Sequence, residues 1–285
     1  MIDAPGTSAP RWTRFVATGD SFTEGLWDLD PDDPTRCRGW ADILAARLSS
    51  RRTQAGAPAL EYANLAVRGR LLGPILTEQV PTALDLAPDL VSLIGGGNDI
   101  MRPSADMDGL ARSLEAAVVR LRESGADVLL STGMDLGDNP VVRHTRNRAG
   151  VYSSHIWTIG RRHGAHVLDL WGMRSLHDPR MWAPDRIHLT TEGHERVAQA
   201  ALVALGLEPD DAAWDDSLTP LPPVPRVGRA LADAAWLREY VYPWATRRLR
   251  GRSSGDLLGP KRPALGPVEQ LERLEQAEKV EQVDG

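Results

Sequence analysis

A single cysteine, Cys37, stands in 285 residues. One thiol cannot close a disulfide within the chain, so a disulfide-held scaffold is excluded and nothing signals an oxidising compartment. Arg36 and Arg38 flank Cys37 and would favour its thiolate, but no partner residue is evident nearby, and an incidental loop thiol is the plainer reading. No uninterrupted apolar run is long enough to span a bilayer. The opening Met1-Ile2-Asp3-Ala4-Pro5-Gly6 lacks the basic segment and apolar core of a secretory leader. A cytoplasmic location is therefore the expectation, with non-classical export left open. Positive charge is not in excess either. Thirty-three Lys and Arg face 39 Asp and Glu, a formal net charge of −6. That argues against a globally basic nucleic-acid surface, though not against a local patch such as Arg247–Arg252. Such a run is more often solvated, or paired within the chain, here with the acidic C-terminal end.

Cofactor motifs are missing as well. The glycine run Gly95–Gly97 is followed by Ile100 where a dinucleotide loop needs its last glycine, and Gly259-Pro260-Lys261 lacks the upstream glycine of a phosphate loop. His163 and His166 straddle a helix end and a strand, with no cysteine or carboxylate to complete a metal site. Gly19-x-Ser21-x-Thr23 is not the G-x-S-x-G elbow. The expectation is chemistry without metal or organic cofactor.

What is present is an ordinary soluble composition, 42% hydrophobic and 25% charged. Short apolar runs alternate with helical patterns. Strands are expected at Arg14–Thr18, Glu61–Leu65, Asp89–Ile94, Asp127–Ser131 and His166–Leu170. Helices are expected near Trp40–Arg51, Leu71–Ala83, Met107–Glu123, Asn147–His163 and Thr191–Leu205. This alternation predicts an α/β fold, a parallel five-stranded sheet covered on both faces. Thr190 or Thr191 can cap the last helix, and Gly125 and Gly164 stand where helices should stop. The expected organisation is a flexible 1–13, a domain over 14–207, and an extension over 208–285. That extension opens with a proline-rich linker, Glu208-Pro209-Asp210-Asp211 and Leu221-Pro222-Pro223-Val224-Pro225. A helix is expected over Gly228–Leu249, interrupted near Pro243, then a basic flexible stretch and a weakly amphipathic acidic end, Val268–Val283.

In a parallel α/β sheet, functional residues gather at the carboxyl ends of strands. Gly19-Asp20-Ser21 follows the first strand, Val67-Arg68-Gly69 the second and Gly95-Gly96-Gly97-Asn98-Asp99 the third. Asp185-Arg186-Ile187-His188 comes after the fifth. These loops hold the parts of activated-serine chemistry. Ser21 would attack a carbonyl carbon, His188 would carry its proton to the leaving oxygen, and Asp185 would hold the imidazole. Asp169 and Asp178 compete for that last role. The N–H groups of Ser21 and Gly69 and the amide of Asn98 are candidate donors to an oxyanion. Trp27, Met101, Met134, Trp171, Met181 and Trp182 are either an apolar wall for an acyl group or ordinary packing.

These four blocks, in this order, resemble the SGNH/GDSL hydrolase superfamily over about Arg14 to Leu207. The resemblance implies a flavodoxin-like α/β/α sandwich of three layers, a serine nucleophile and a small-molecule acyl ester or thioester substrate. Phe22 replaces the leucine of the family's name motif, at a position that packs rather than reacts. Arg68 stands where members often carry a small residue, and would narrow the pocket or attract an anionic substrate. The tail from Asp210 resembles an extension of actinobacterial members. Acyl transfer by the same serine, and a non-catalytic binding protein on the same fold, remain the alternatives. The sequence sets no acyl-chain length and no oligomeric state.

Overall fold

The β-like runs place apolar side chains on both sides of the backbone, so each strand can be buried on both faces. The computed structural model describes residues 9–30, 33, 36–135, 143–223, 225–243, 246, 250 and 253–268. Its strands are β1 (Arg14–Thr18), β2 (Glu61–Asn64), β3 (Leu90–Leu93), β4 (Asp127–Ser131), β5 (His166–Leu168) and β6 (Arg262–Pro267). Their spatial order is β5-β4-β3-β1-β2-β6. The first five pair in parallel, with Val16 opposite both Ala63 and Val91. The sixth lies antiparallel on β2.

Helices cover both faces. They are α1 (Ser21–Glu24), α2 (Trp40–Gln54), α3 (Leu72–Pro74), α4 (Val80–Asp85), α5 (Gly97–Ile100), α6 (Met107–Glu123), α7 (Arg146–His163), α8 (Thr191–Ala204) and α9 (Arg226–Trp236). On one face Phe15, Ala17, Leu90, Leu129 and Leu168 pack with Trp40, Leu44 and Leu48 of α2 and Val197 and Ala201 of α8. On the other, Val91, Leu93, Val128 and Leu130 pack with Leu72, Leu114, Val118 and Ile156 of α3, α6 and α7. Helix boundaries follow local chemistry. Thr190 caps α8, its hydroxyl accepting from the Gly193 N–H at 3.3 Å. Gly164 ends α7 in the left-handed conformation. The result is an α/β/α sandwich of three layers.

Three expectations need correction. The sheet has six strands, not five, because Arg262–Pro267 of the tail adds an edge strand. Pro263 and Pro267 hide it from a pattern reading, yet prolines are tolerated at a sheet edge. The helix expected over Leu71–Ala83 is instead α3, a π turn at Ile75–Gln79, and α4. The extension helix likewise ends as α9 and continues as a π turn, Leu237–Val241, just before Pro243. Of the acidic end, only Val268 falls among the described residues. Of Arg247–Arg252, only Arg250 does.

Candidate active site

β1 is flanked by β2 on one side and β3 on the other, so the strand order reverses at β1 and opens a crevice at the carboxyl ends of β1 and β3. Ser21 begins α1 immediately after β1. Asp20 caps that helix, its carboxylate accepting from the Phe22 N–H at 3.1 Å. At the first helical position the Ser21 N–H has no partner within the helix. Gly96, at φ +98°, turns the chain after β3, and a side chain there would meet the Tyr152 ring at 2.9 Å. This tight turn brings Asn98 to the crevice.

The long connection after β5 returns His188 to the same place. Its Nδ1–H donates to Asp185 Oδ2 at 2.6 Å, which leaves Nε2 to accept from the Ser21 hydroxyl at 2.8 Å. The competing carboxylates are engaged elsewhere. Asp178 pairs with Arg180, and Asp169 accepts from Thr132 and from the Gly172 N–H. Asp185 also accepts from the N–H groups of Ile187 and His188, each at 3.0 Å. Burial pushes its carboxyl up, but these bonds and the neighbouring imidazole outweigh burial and hold it below its ordinary range. A second histidine in the crevice, His194, is buried, which pushes it down to about 4, and its Nδ1 accepts from the Trp40 N–H at 3.2 Å. It is therefore neutral and turned toward the backbone.

The three expected oxyanion donors are placed differently. Ser21 and Asn98 line the crevice. The Asn98 amide nitrogen donates to Asp20 Oδ2 at 3.1 Å and to the Arg70 oxygen at 3.0 Å, so both of its hydrogens are engaged. Gly69, at φ +75°, lies one residue beyond Arg68, which does line the crevice. Its Cα is covered by the tail: an added Cβ would fall 1.9 Å from Ser253 Oγ. Glycine there leaves room for the chain's own Ser253. Asp20 is buried beside these groups. Burial pushes its carboxyl up to about 6 against the Phe22 N–H, His188 and Asn98.

Arg68 does not offer a free charge. Its backbone N–H and its Nε donate to Glu24 at 2.6 and 2.8 Å, and its guanidinium closes an ion pair with the same carboxylate. Cys37 lies nearby, and burial pushes its thiol up in spite of Arg68.

The crevice has a volume of about 470 Å³. Trp27, Met101 and Met134 line it, together with Ile94, Ile100, Leu170, Tyr240 and Val241. Met181, by contrast, is buried in the core, Trp182 packs on that core, and Trp171 packs against the opposite one. Some contacts at the site carried no sequence signal. Gln79, in the π turn, accepts from the Gly19 N–H at 2.8 Å and donates to the Gly19 oxygen at 2.9 Å, bracing the turn that carries Ser21. Trp27 donates its indole N–H to Asp185 Oδ2 at 2.8 Å. Trp236, far along the chain, donates to the Asp185 backbone oxygen at 2.9 Å. Among the described residues, no cluster of three His, Cys, Asp or Glu could hold a metal ion, and no helix is long and apolar enough to cross a membrane.

The profile of the GDSL-like Lipase/Acylhydrolase family matches residues 17–196, more than half of the chain. The chain belongs to that family. Membership makes this GDSL-like protein a hydrolase of the esterase and lipase type. No curated protein matches it significantly. Solved structures share its fold at low identity. LAE5, an alpha/beta hydrolase enzyme from the metagenome of Lake Arreo, Spain, is 23% identical over 70% of this chain and 97% of its own, with a TM-score of 0.58. Axe2, an acetyl xylan esterase from Geobacillus stearothermophilus (solved as a Trp-to-Ile variant), is 18% identical over 70% and 97%, also at 0.58. TesA is 21% identical over 67% and 97%, at 0.54.

Proposed function

We propose that this GDSL-like protein cleaves carboxylic ester or thioester bonds through an acyl-enzyme on Ser21. The observation that carries the reading is the unbroken chain of hydrogen bonds from the Ser21 hydroxyl through His188 to Asp185, at 2.8 and 2.6 Å, opening into an apolar crevice. A serine hydroxyl is a weak nucleophile until a base takes its proton, and the base must be fixed in the right tautomer. His188 removes the proton as Ser21 Oγ bonds to the acyl carbon. It then returns the proton to the departing alcohol or thiol oxygen or sulfur. Water repeats the cycle in reverse and frees the acid. His188 is charged between these transfers, and the Asp185 carboxylate beside it compensates.

The Ser21 N–H and the Asn98 amide are the donors best placed to meet the negative oxygen of the intermediate, with the Gly69 N–H as a third candidate. Asn98 would have to exchange its bond to Asp20 or Arg70 for one to the substrate. The apolar walls suit a small-molecule acyl ester. A cytoplasmic setting suits a chain whose one thiol has no disulfide partner. No cofactor is called for in this scheme, and nucleic acid has no part in it.

The test is covalent. A fluorophosphonate probe is expected to label wild-type protein at Ser21 and to leave Ser21→Ala unlabelled, while Ser21→Ala and His188→Ala lose turnover of p-nitrophenyl esters. Equal labelling of wild type and Ser21→Ala would overturn the assignment. Acyl transfer, the second use of the same serine, is separated by analysing products with and without an added alcohol acceptor.

A further inference from the structure

α9 is poorly covered for most of its length: Val227 is 73% exposed and Leu231 67%, whereas Trp236 is 4% exposed. A helix that buries so little needs a reason for where it sits. Its inward contacts fall on the loop that carries Asp185 and His188. The Trp236 indole N–H meets the Asp185 backbone oxygen at 2.9 Å, a buried bond. Asp233 pairs with Arg186 at 2.6 Å, and the Arg186 guanidinium lies 4.9 Å over the Trp236 ring. Arg186 sits at φ +58°, a left-handed conformation that is unfavourable for a residue with a side chain and persists only where its surroundings enforce it. The strained residue therefore lies between the acid and the base, and the extension holds it on both sides.

A second line of contact runs from the same segment. Tyr240, in the π turn that continues α9, packs edge-on against Trp27 with ring centroids 6.3 Å apart. Trp27, itself at φ +78°, donates to Asp185 Oδ2, the oxygen that also accepts from the His188 Nδ1–H. One indole thus fixes the Asp185 backbone and another its carboxylate, and both are steadied by residues 226–241.

We infer that Trp236 is a positioning residue for the reaction: with Asp233 and Tyr240 of the C-terminal extension and Trp27 of the body, it forms a clamp that orients Asp185 and through it the imidazole of His188. The inference rests on the Ser21–His188–Asp185 reading above. It makes the extension a working part of the active site.

The full-length chain tests it. Trp236→Phe keeps the ring and removes the N–H. Trp27→Phe does the same to the carboxylate contact, Asp233→Asn removes the charge that holds Arg186, and Leu231→Ala on the exposed side of α9 is the control. On p-nitrophenyl acetate, Trp236→Phe is expected to lower kcat about five- to tenfold, the effect of losing one buried hydrogen bond, with KM within about twofold. The far-downfield proton resonance of the His188–Asp185 hydrogen bond is expected to shift or broaden in Trp236→Phe and Trp27→Phe. It should stay in place in Leu231→Ala, which keeps wild-type kcat. Wild-type kcat and an unmoved resonance in Trp236→Phe would overturn the clamp. So would a loss that follows the unfolded fraction in thermal denaturation, or a change confined to KM, which would reduce α9 to a pocket wall. A wild type that neither turns over ester nor takes the fluorophosphonate at Ser21 would overturn the catalytic reading, and the clamp with it. A labelled, active wild type beside an unaffected Trp236→Phe overturns the clamp alone.

Discussion

Gln79 holds Gly19 by both of its peptide groups, accepting from the N–H and donating to the oxygen, two residues before Ser21. Gln79→Leu keeps the bulk and strands both groups in a buried setting. It is expected to destabilise the fold by about 2–6 kcal/mol, since each unsatisfied buried group costs about 1–3 kcal/mol. Urea titration gives the stability, and the kcat of the remaining folded protein shows whether the Ser21 turn has also moved.

Asn98 already spends both amide hydrogens on Asp20 and Arg70. If it also serves the intermediate, Asn98→Ala should reduce kcat on an activated ester by about 10²–10³, equivalent to about 2.7–4 kcal/mol, the loss found on removing one such donor from a serine protease. Unchanged turnover would remove Asn98 from that role.

Asp20 links stability to pH. Its carboxyl titrates near 6 when folded, against 3.8 for the ordinary group. Between these values the unfolded chain has released the proton and the folded one still holds it, so folding binds a proton and stability falls as pH rises from about 4 to about 6. Above about pH 6 the full penalty of about 3 kcal/mol is in place, as the shift converts at about 1.4 kcal/mol per pH unit. Asp20→Asn cannot ionise. Its unfolding free energy relative to wild type is therefore expected to climb across that window and level off above it. A constant difference from pH 4 to 7 would contradict the assignment.

Lys261 fastens the tail to the body. Its ammonium meets the Glu24 oxygen at 2.6 Å and the Cys37 oxygen at 2.9 Å, and it also bonds the Arg38 oxygen and the Asp42 carboxylate. Lys261→Met leaves Asp42 buried without its cation, and breaking such a pair costs about 3–5 kcal/mol. The expected outcome is a clear fall in the denaturation midpoint, with protease cutting first in the segment around β6.

The five parallel strands were legible because Val16, Val91, Leu93, Val128 and Leu130 stand in short β-branched or apolar runs between helical patterns, each long enough to be buried on two faces. Ser21, Asn98, Asp185 and His188 were legible because each follows a strand end in an order that only a converging sheet makes useful. Contacts made across the sequence were not legible. A glutamine inside a helical stretch reads as surface, and nothing local shows that a π turn aims Gln79 at Gly19. Arg68 reads as a free cation until Glu24, 44 positions earlier, is folded against it. Trp27 and Trp236 read as apolar bulk, and the indole N–H of each acquires its meaning only where Asp185 lies.

The placement of β6 bears on how copies of this chain behave toward one another. A parallel sheet that ended at β2 would offer a row of bare peptide groups on which another chain could build, the starting point of self-association. β6 occupies that row, and its own outer edge carries Pro263 and Pro267, which have no N–H to offer a further strand. The tail thereby confers colloidal independence, and a chain cut before Arg262 would be prone to clump even with Ser21, His188 and Asp185 still in place.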